Sequence, residues 1–465
     1  MNSKFLLLIF SIICLSACQN QTKKTNISND YSNEELTQAA KDAYIFAYPT
    51  VMMYRSMYLQ ALNPENGVGM GNWLHLGVSN PEDTTIVTPN NDSPYSYAWL
   101  DLRTEPYVLT MPKIEENRFY TSQWDDMFGY VLDNAGSVGD GNEGVHVLLA
   151  APDFNGEIPE GINRVIKGNS NILGTLTRTQ LIGAEDLPNV KAIQQKYKLE
   201  PLSSYLGNEV PQPAAEIQWM KWEEGAEFKE DFWRFAGFVS QFVTKHSDDK
   251  SKWGDLAKFG FEQGGDWDIS KLTEDQKSAL EIGQKEALSH LNEMVSKTFD
   301  PKKFFNTRED MKNIGDDDQY VQRAMGVLAG IFGNTKDISV YYGFQTDVDG
   351  NIPDVSETPY TLTFKKDELP NVKNFWSITM YSLPKRLLVQ NAIERYSIGS
   401  ASPEMKNNPD GSLTIYIQPN APENDKLGNW LPSPDGPFWI VMRCYGPDQS
   451  IIKGTWPEPE LAPVK

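Results

Sequence analysis

Cysteine is almost missing from this 465-residue chain, which holds only Cys14, Cys18 and Cys444. So few thiols give no disulfide framework, and the fold must rest on apolar cores. Histidine is equally sparse, at His75, His146, His246 and His290, and His-x-His, His-Glu-x-x-His and paired cysteines do not occur. Those absences remove the common zinc patterns, so no metal site is expected. There is no Gly-x-Ser-x-Gly elbow and no phosphate-cradling glycine motif. A serine hydrolase of that type is disfavoured, and no cofactor is expected. Basic residues are outnumbered, 42 against 63 acidic ones, for a formal charge of −21. A phosphate backbone selects surfaces rich in Lys and Arg, so no nucleic acid is expected as a partner, and a body lying on anionic lipid is disfavoured. The acidic balance fits a neutral or cationic ligand.

Long hydrophobic runs are lacking too, with one exception at the start. MNSKFLLLIFSIICLSACQN places Lys4 before an apolar run from Phe5 to Leu15, then small residues and Cys18. That run is too short to span a bilayer and has the length of a secretory signal. Leu15-Ser16-Ala17-Cys18 resembles the bacterial lipobox, which implies cleavage before Cys18 and lipid on that cysteine. Residues 1–17 are then a lipoprotein signal peptide, and 18–33 a flexible polar tether. The membrane is met through the N-terminal lipid alone. Gln19 stands where an aspartate often retains lipoproteins at an inner membrane, so the expected location is the cell envelope, at the outer membrane. Homo-oligomer formation is left open.

Behind the tether, Ser32-Asn33-Glu34-Glu35 reads as a capping box, followed by Leu36, Ala39, Ala40, Ala43 and Ala47 at helical spacing. Pro49 is expected to end this helix and a second to run from Met52 to Leu62. From about Thr84 to Ile182 strand-like runs alternate with Gly- and Asn-rich joints, as antiparallel β-structure does. Helical periodicity returns at EDFWRFAGFVSQFVTKH, at LTEDQKSALEIGQKEALSHLNEMVSK, and at DDDQYVQRAMGVLAGIFGN with three aspartates at its positive end. After Gly333, runs such as YTLTFKK, FWSITMYS, SLTIYIQP and FWIVMRCYG are β again, with Asp349-Gly350 and Asp410-Gly411 as hairpin signals. The order predicts an α+β protein: an N-terminal helix pair with a β-rich domain over 34–210, a helical middle over 211–335, and a second β-rich domain over 336–465.

TPNNDSPYSYAWLDLRTEPYVLTMP, with RFYTSQWDDMFGYV after it, resembles the bacterial domain of unknown function 1254. FWSITMYSLPKRLLVQNAIERYSIGS, with DGSLTIYIQP, NWLPSPDGPFWIVMRCYGP and GTWPEP, resembles its usual C-terminal companion, domain of unknown function 1214. The resemblance covers most of the chain after the tether and implies two mainly β, jelly-roll-like domains with helices between them. It implies no activity. Pro94 departs from the pattern, which tends to an apolar residue before the tyrosine.

The candidate site residues come from three polar and aromatic strings. Asn90, Asn91 and Asp92 precede a strand that turns Tyr95, Tyr97 and Trp99 to one face. Gln123, Trp124, Asp125 and Asp126 repeat the pairing, as do Tyr381, Asn391, Arg395 and Tyr396. Aromatic faces beside amides and carboxylates suit a carbohydrate or other small polar ligand, whose C–H faces stack while its hydroxyls are hydrogen-bonded. Asn91, Asp92, Trp124, Asp126, Arg395 and Tyr396 are expected to meet in one cleft between the β-regions. The alternatives are a glycoside hydrolase using Asp92 and Asp126, whose carboxyl oxygens must then lie roughly 5–10 Å apart, and an envelope scaffold with an exposed apolar face. The same residue types also fill sandwich cores and tight turns, and Arg395 is equally a candidate partner for Asp92 or Asp126. Asp347-Val348-Asp349-Gly350-Asn351 offers calcium-type oxygens, but a hairpin turn accounts for it.

Overall fold

The structure, a computed structural model, describes residues 31–82, 88–264, 267–298 and 317–464. The expected signal peptide, Cys18 and nearly all of the tether lie outside them, as do the side chains of the 316–318 aspartate run. Among the described residues no helix is long and apolar enough to cross a membrane.

Helix α1 (Asn33–Met57) starts on the expected capping box: the Ser32 hydroxyl accepts the Glu35 amide at 3.3 Å, and the Glu35 carboxylate accepts the Ser32 amide at 2.8 Å. Ser32→Ala removes one acceptor from the four orphan amides of the first turn, and a loss of about 1 kcal/mol is expected in chemical unfolding. Pro49 does not divide this helix. Its missing amide and its ring cost about 3 kcal/mol in a helix interior, but every residue from Ala43 to Val51 is buried, so packing on all sides holds the helix through it. The expected pair is one helix closed by a π-turn, Tyr58–Leu62.

Strands β1 (Leu74–His75), β2 (Tyr95–Asp101), β3 (Tyr107–Met111), β4 (Tyr120–Asp126), β5 (Val131–Gly136), β6 (Val145–Ala150), β7 (Arg164–Lys167) and β8 (Ile172–Thr179) follow. Helix α2 (Leu187–Gln194), strand β9 (Lys198–Pro201) and helix α3 (Leu202–Leu206) complete this part. Sheet I runs β1-β2-β8-β4-β5 and sheet II β7-β6-β3-β9. Leu100, Leu109, Trp124, Val147 and Leu173 fill the space between them.

Four further helices come next, α4 (Asp231–Val239), α5 (Lys250–Ala257), α6 (Glu274–Thr298) and α7 (Asp317–Gly330). All four pack on α1, so the first helix belongs with the middle of the chain and not only with the β-domain it precedes. Arg323 of α7 is buried among the rings of Phe46, Phe128, Tyr130 and Tyr320 at 5.3–5.5 Å and donates to the Phe46 carbonyl and the Tyr130 hydroxyl. One cation thus ties α7, α1 and the β4–β5 turn together.

The C-terminal sandwich contains β10 (Ser339–Phe344), β11 (Tyr360–Phe364), β12 (Val372–Ser382), β13 (Leu387–Leu388), β14 (Ser397–Gly399), β15 (Leu413–Gln418), β16 (Trp430–Pro432), β17 (Phe438–Pro447), helix α8 (Gln449–Ile452) and β18 (Glu460–Pro463). Sheet III runs β10-β17-β12-β13, with β14 also paired to β12, and sheet IV runs β16-β15-β11-β18. Two strand pairs, β6 with β7 and β15 with β16, are parallel; the other named pairs are antiparallel. The α+β class and the two β-rich regions read from the sequence are the architecture observed.

Function is framed by the faces that the two sandwich cores leave over. The outer face of sheet I carries Trp99, Ile172 and Leu176 at one end, packed into the helices. Gly174 makes room there, since a Cβ on it would fall 2.6 Å from the Trp99 ring. At the other end the same face meets the outer face of sheet III, where Phe119, Ile338, Phe375 and Tyr445 form a small apolar joint. Every residue of β17 is buried, which requires that both faces of sheet III be covered.

Candidate functional site

Strand alternation decides what the two sheets show each other. In β17, Phe438, Ile440, Met442 and Cys444 enter the C-terminal core, so Arg443 and Tyr445 turn outward. In sheet III Arg443 sits between Tyr341 of β10 and Ser377 of β12, one cross-strand row. In sheet I Leu173 faces the sandwich, so Arg178 turns outward, between Tyr95 of β2 and Thr121 of β4. Each outer face is thus centred on an arginine, 4% exposed for Arg178 and 5% for Arg443.

Residues Thr88–Ser93 run through the seam between these faces. The Thr88 amide donates to the Arg386 carbonyl at 2.8 Å, and the Tyr381 hydroxyl donates to the Pro89 carbonyl at 2.7 Å. Asn90 folds the segment by accepting the Asp92 amide at 2.8 Å, an Asx turn, while its own amide donates to the Ser93 and Tyr445 hydroxyls, each at 3.0 Å. Asp92 accepts from the Ser377 hydroxyl through Oδ2, with Arg443 at 4.0 Å. Arg443 donates to Thr379 Oγ1 at 2.6 Å and to the Tyr381 hydroxyl at 2.8 Å. Arg178 donates to Gln123 Oε1, Asn334 Oδ1 and the Phe332 carbonyl at 3.2, 2.8 and 2.7 Å. Its guanidinium lies 5.5 Å from the Tyr95 ring, and that of Arg443 lies 5.9 and 6.0 Å from the Tyr341 and Tyr381 rings.

Two residues at this seam are strained. Thr88 and Phe332 hold φ of 56° and 60°, the left-handed region that β-branched and bulky residues rarely occupy. Such conformations cost about 1–3 kcal/mol each and persist where the surroundings over-determine them. Here one supplies the amide to Arg386 and the other the carbonyl to Arg178.

Several polar atoms of the seam remain unused among the described residues. Asp92 Oδ1 and the Tyr95 and Tyr97 hydroxyls make no hydrogen bond to a described residue, and Asn91 Oδ1 and Arg178 Nε are buried without a partner. Burial raises the Tyr97 phenol above its ordinary range, with Tyr95 adding to the effect and Arg178 opposing it. Tyr445 is pushed up by burial and by Tyr341 and Asp92. Burial opposes the charge on both arginines, yet the facing tyrosines, and Asp92 for Arg443, outweigh it, so both are held more firmly cationic than usual.

The expected site residues separate into distinct neighbourhoods. Asn90, Asn91, Asp92, Tyr95 and Tyr381 are in the seam, and Tyr396 packs at its edge against the cluster of Tyr381, Leu388 and Trp439. Trp124 is instead wholly inside the N-terminal core. Asp126, also wholly buried, closes the β4–β5 turn: Oδ1 accepts the Phe128 and Tyr130 amides at 3.0 and 3.1 Å, and Oδ2 accepts the amide and side chain of Asn169 at 3.0 and 3.2 Å. Burial raises its pKa against the pull of those bonds. Arg395 reaches neither aspartate. It donates to the Leu427 and Trp430 carbonyls at 2.8 and 2.9 Å and pairs with Glu404 at 3.2 Å, clamping a loop of the C-terminal domain. The expected single cleft of Asn91, Asp92, Trp124, Asp126, Arg395 and Tyr396 is therefore corrected to a seam in which Arg443 meets Asp92. Asp347, raised above for calcium, spends Oδ1 on the Asp349 and Asn351 amides and Oδ2 on the Tyr360 hydroxyl.

A serine–histidine contact occurs elsewhere, with His75 Nδ1 2.8 Å from Ser96 Oγ. Ser96 has no exposed surface and also accepts from Gln194, so it cannot meet a substrate. A polar cavity of about 400 Å³ opens beside the domain junction, lined by Asp133, Asn134, Asp140, Arg164 and Thr335 among others. Arg164 is fully engaged there by Asp133 and Asp140 at 2.5–3.1 Å.

Residues 71–201 match the family model described as Protein of unknown function (DUF1254), and residues 338–449 match Protein of unknown function (DUF1214). The crystal structure of the VPA0106 protein from Vibrio parahaemolyticus superposes with a TM-score of 0.75 at 27% identity, over 92% of this chain and 100% of that one. A putative uncharacterized protein from Burkholderia cenocepacia is similar over 93% of this chain and 95% of its own, at 11% identity and a TM-score of 0.43. No curated protein matches.

Proposed function

We propose that this protein, in which a DUF1254 domain is followed by a DUF1214 domain, recognises a small polyhydroxylated ligand at the seam between its two sandwiches. The observation that carries the reading is the unused polarity of that seam: the Tyr95 and Tyr97 hydroxyls, Asp92 Oδ1 and Asn91 Oδ1 beside half-buried aromatic rings. Of these, Asn91 Oδ1 is a buried atom without a partner, a costly state that a ligand donor relieves, and the others offer donors and acceptors that no protein group already occupies. Tyrosine rings offer faces to C–H groups while their hydroxyls direct specificity, as a sugar requires. Recognition without turnover is favoured over hydrolysis because Asp126, the expected second carboxylate, has both oxygens occupied by hydrogen bonds within its turn. The lipobox ending at Cys18 supports a place for this recognition at the cell envelope, with lipid on that cysteine and the outer membrane as its site.

A thermal-shift screen of the purified protein against neutral sugars, sugar acids and small metabolites tests the reading, with Tyr97→Phe run beside the parent. A ligand at 100 times its Kd stabilises the folded state by about 2.7 kcal/mol. Tyr97→Phe deletes one unbonded hydroxyl, so it should leave the unliganded midpoint nearly unchanged while shrinking the shift. A library without a single stabilising compound, or a hit that Tyr97→Phe binds as well as the parent, removes the seam as the site.

A further inference from the structure

We infer that the ligand of this seam is an acid: a sugar or similar hydroxylated ring that carries a carboxylate, received by Arg443 and Arg178. The inference rests on the recognition reading above and adds the sign of the charge. It runs against the expectation from the chain's −21, which by itself favours a neutral or cationic ligand. Net charge governs the approach from a distance, whereas selection inside a desolvated seam is set by the groups in contact.

Those groups are rich in donors. Each guanidinium has five N–H donors. Arg443 makes two hydrogen bonds, to Thr379 and Tyr381, and Arg178 makes three, to Gln123, Asn334 and Phe332. The facing carboxylate does not consume the remainder, because Asp92 stands 4.0 Å from Arg443, beyond hydrogen-bond reach, and is held by Ser377. Arg178 Nε is without any partner on a side chain that is more than nine-tenths buried. A neutral sugar's hydroxyls can accept from these donors, but only as neutral, single hydrogen bonds that leave the buried positive charge uncompensated. A carboxylate brings acceptors only and matches the planar guanidinium fork in geometry. The hydroxyls of the same ligand then have Asp92 Oδ1 and the Tyr95 and Tyr97 hydroxyls to bond.

The test is isothermal titration of the full chain with D-glucuronate and D-galacturonate, each beside its neutral parent, D-glucose and D-galactose, and with acetate as the bare anion. At least one acid is expected to bind about tenfold tighter than its neutral parent, the scale of one added charge-assisted hydrogen-bond pair. Acetate alone is expected to bind far more weakly. Arg443→Gln, checked for folding by circular dichroism, is expected to shrink the preference for the acid over its parent severalfold, with Arg178 left to hold the remainder, and an undiminished preference overturns the inference. Should that variant not fold, Tyr97→Phe serves instead: it should weaken both ligands of a pair while keeping the preference for the acid. Equal affinity for acid and parent in the native protein overturns the inference and leaves sugar recognition standing. Acetate binding as tightly as the sugar acids overturns it too, by reducing the site to a plain anion hole. Absence of binding by all five, combined with a neutral hit in the broader screen, overturns it alone; absence of binding in both defeats the two readings together.

Discussion

Replacing Arg443 by alanine should lower the unfolding free energy by about 3–5 kcal/mol, the cost of stranding one member of a buried charged pair. Arg443 and Asp92 are 5% and 6% exposed, so bulk water screens a stranded charge there only weakly. The substitution also takes a donor from Thr379 Oγ1 and from the Tyr381 hydroxyl, both buried. Asp92→Asn also leaves a buried charge, the Arg443 cation, without its counter-charge, but it is expected to cost less, because an amide oxygen still accepts from Ser377 and Arg443 keeps its bonds to Thr379 and Tyr381. The double substitution should therefore be more stable than the sum of the two single losses, a coupling that neighbours in one network show and distant sites do not. Urea unfolding followed through tryptophan fluorescence reads all three, with Trp439 close by, 5.9 Å from the Tyr381 ring. Additive losses would mean that Arg443 and Asp92 do not sense each other at 4.0 Å.

This pair also marks where sequence reading stopped. The capping box at Ser32, the two β-regions and the helical middle are written in local spacing, and each appears as read. Pro49 is local too, but its effect depends on what surrounds the helix, and the burial of Ala43 to Val51 decided it. Asn90, Asn91, Asp92, Tyr95 and Tyr381 lie together at the seam, and the polar and aromatic strings that carry them are visible in one dimension. The arginine that meets Asp92 is Arg443 and not the candidate Arg395, a partnership that local spacing cannot show because it is non-local: Ser377, the neighbour of Arg443 in the row, lies 285 residues from Asp92. One signal was available. Arg178 and Arg443 each sit in the middle of strands whose other residues suit burial, ILGTLTRT and FWIVMRCYGP, and every residue of both strands is buried. An arginine in such a run must find partners across a covered face, whereas Arg395 lies in a polar stretch where a surface clamp suffices.

The second large effect is expected at Gly399, a residue with no place in the seam. It pairs with Ser377 across β14 and β12, and a Cβ there would lie 2.1 Å from the Trp376 carbonyl oxygen and 2.7 Å from the Ser377 Cα. Both obstacles are backbone, so no side-chain rotation relieves them and β12 must move. Overpacking of this kind costs about 1–3 kcal/mol, and more where backbone must yield. Gly399→Ala should therefore show a lower thermal midpoint, while Gly77→Ala, whose Cβ would meet nothing within 4 Å, should not. The loss should not stop at stability. Ser377 is the residue that holds the Asp92 carboxylate, so a displaced β12 carries the hydroxyl away from it and loosens the Thr88–Ser93 segment that crosses the seam. At a temperature where Gly399→Ala is still folded, its affinity for any ligand of the seam should fall well below that of the parent. Unchanged affinity in a destabilised but folded Gly399→Ala would separate the Asp92–Ser377 contact from recognition and leave that contact as a support of the fold alone.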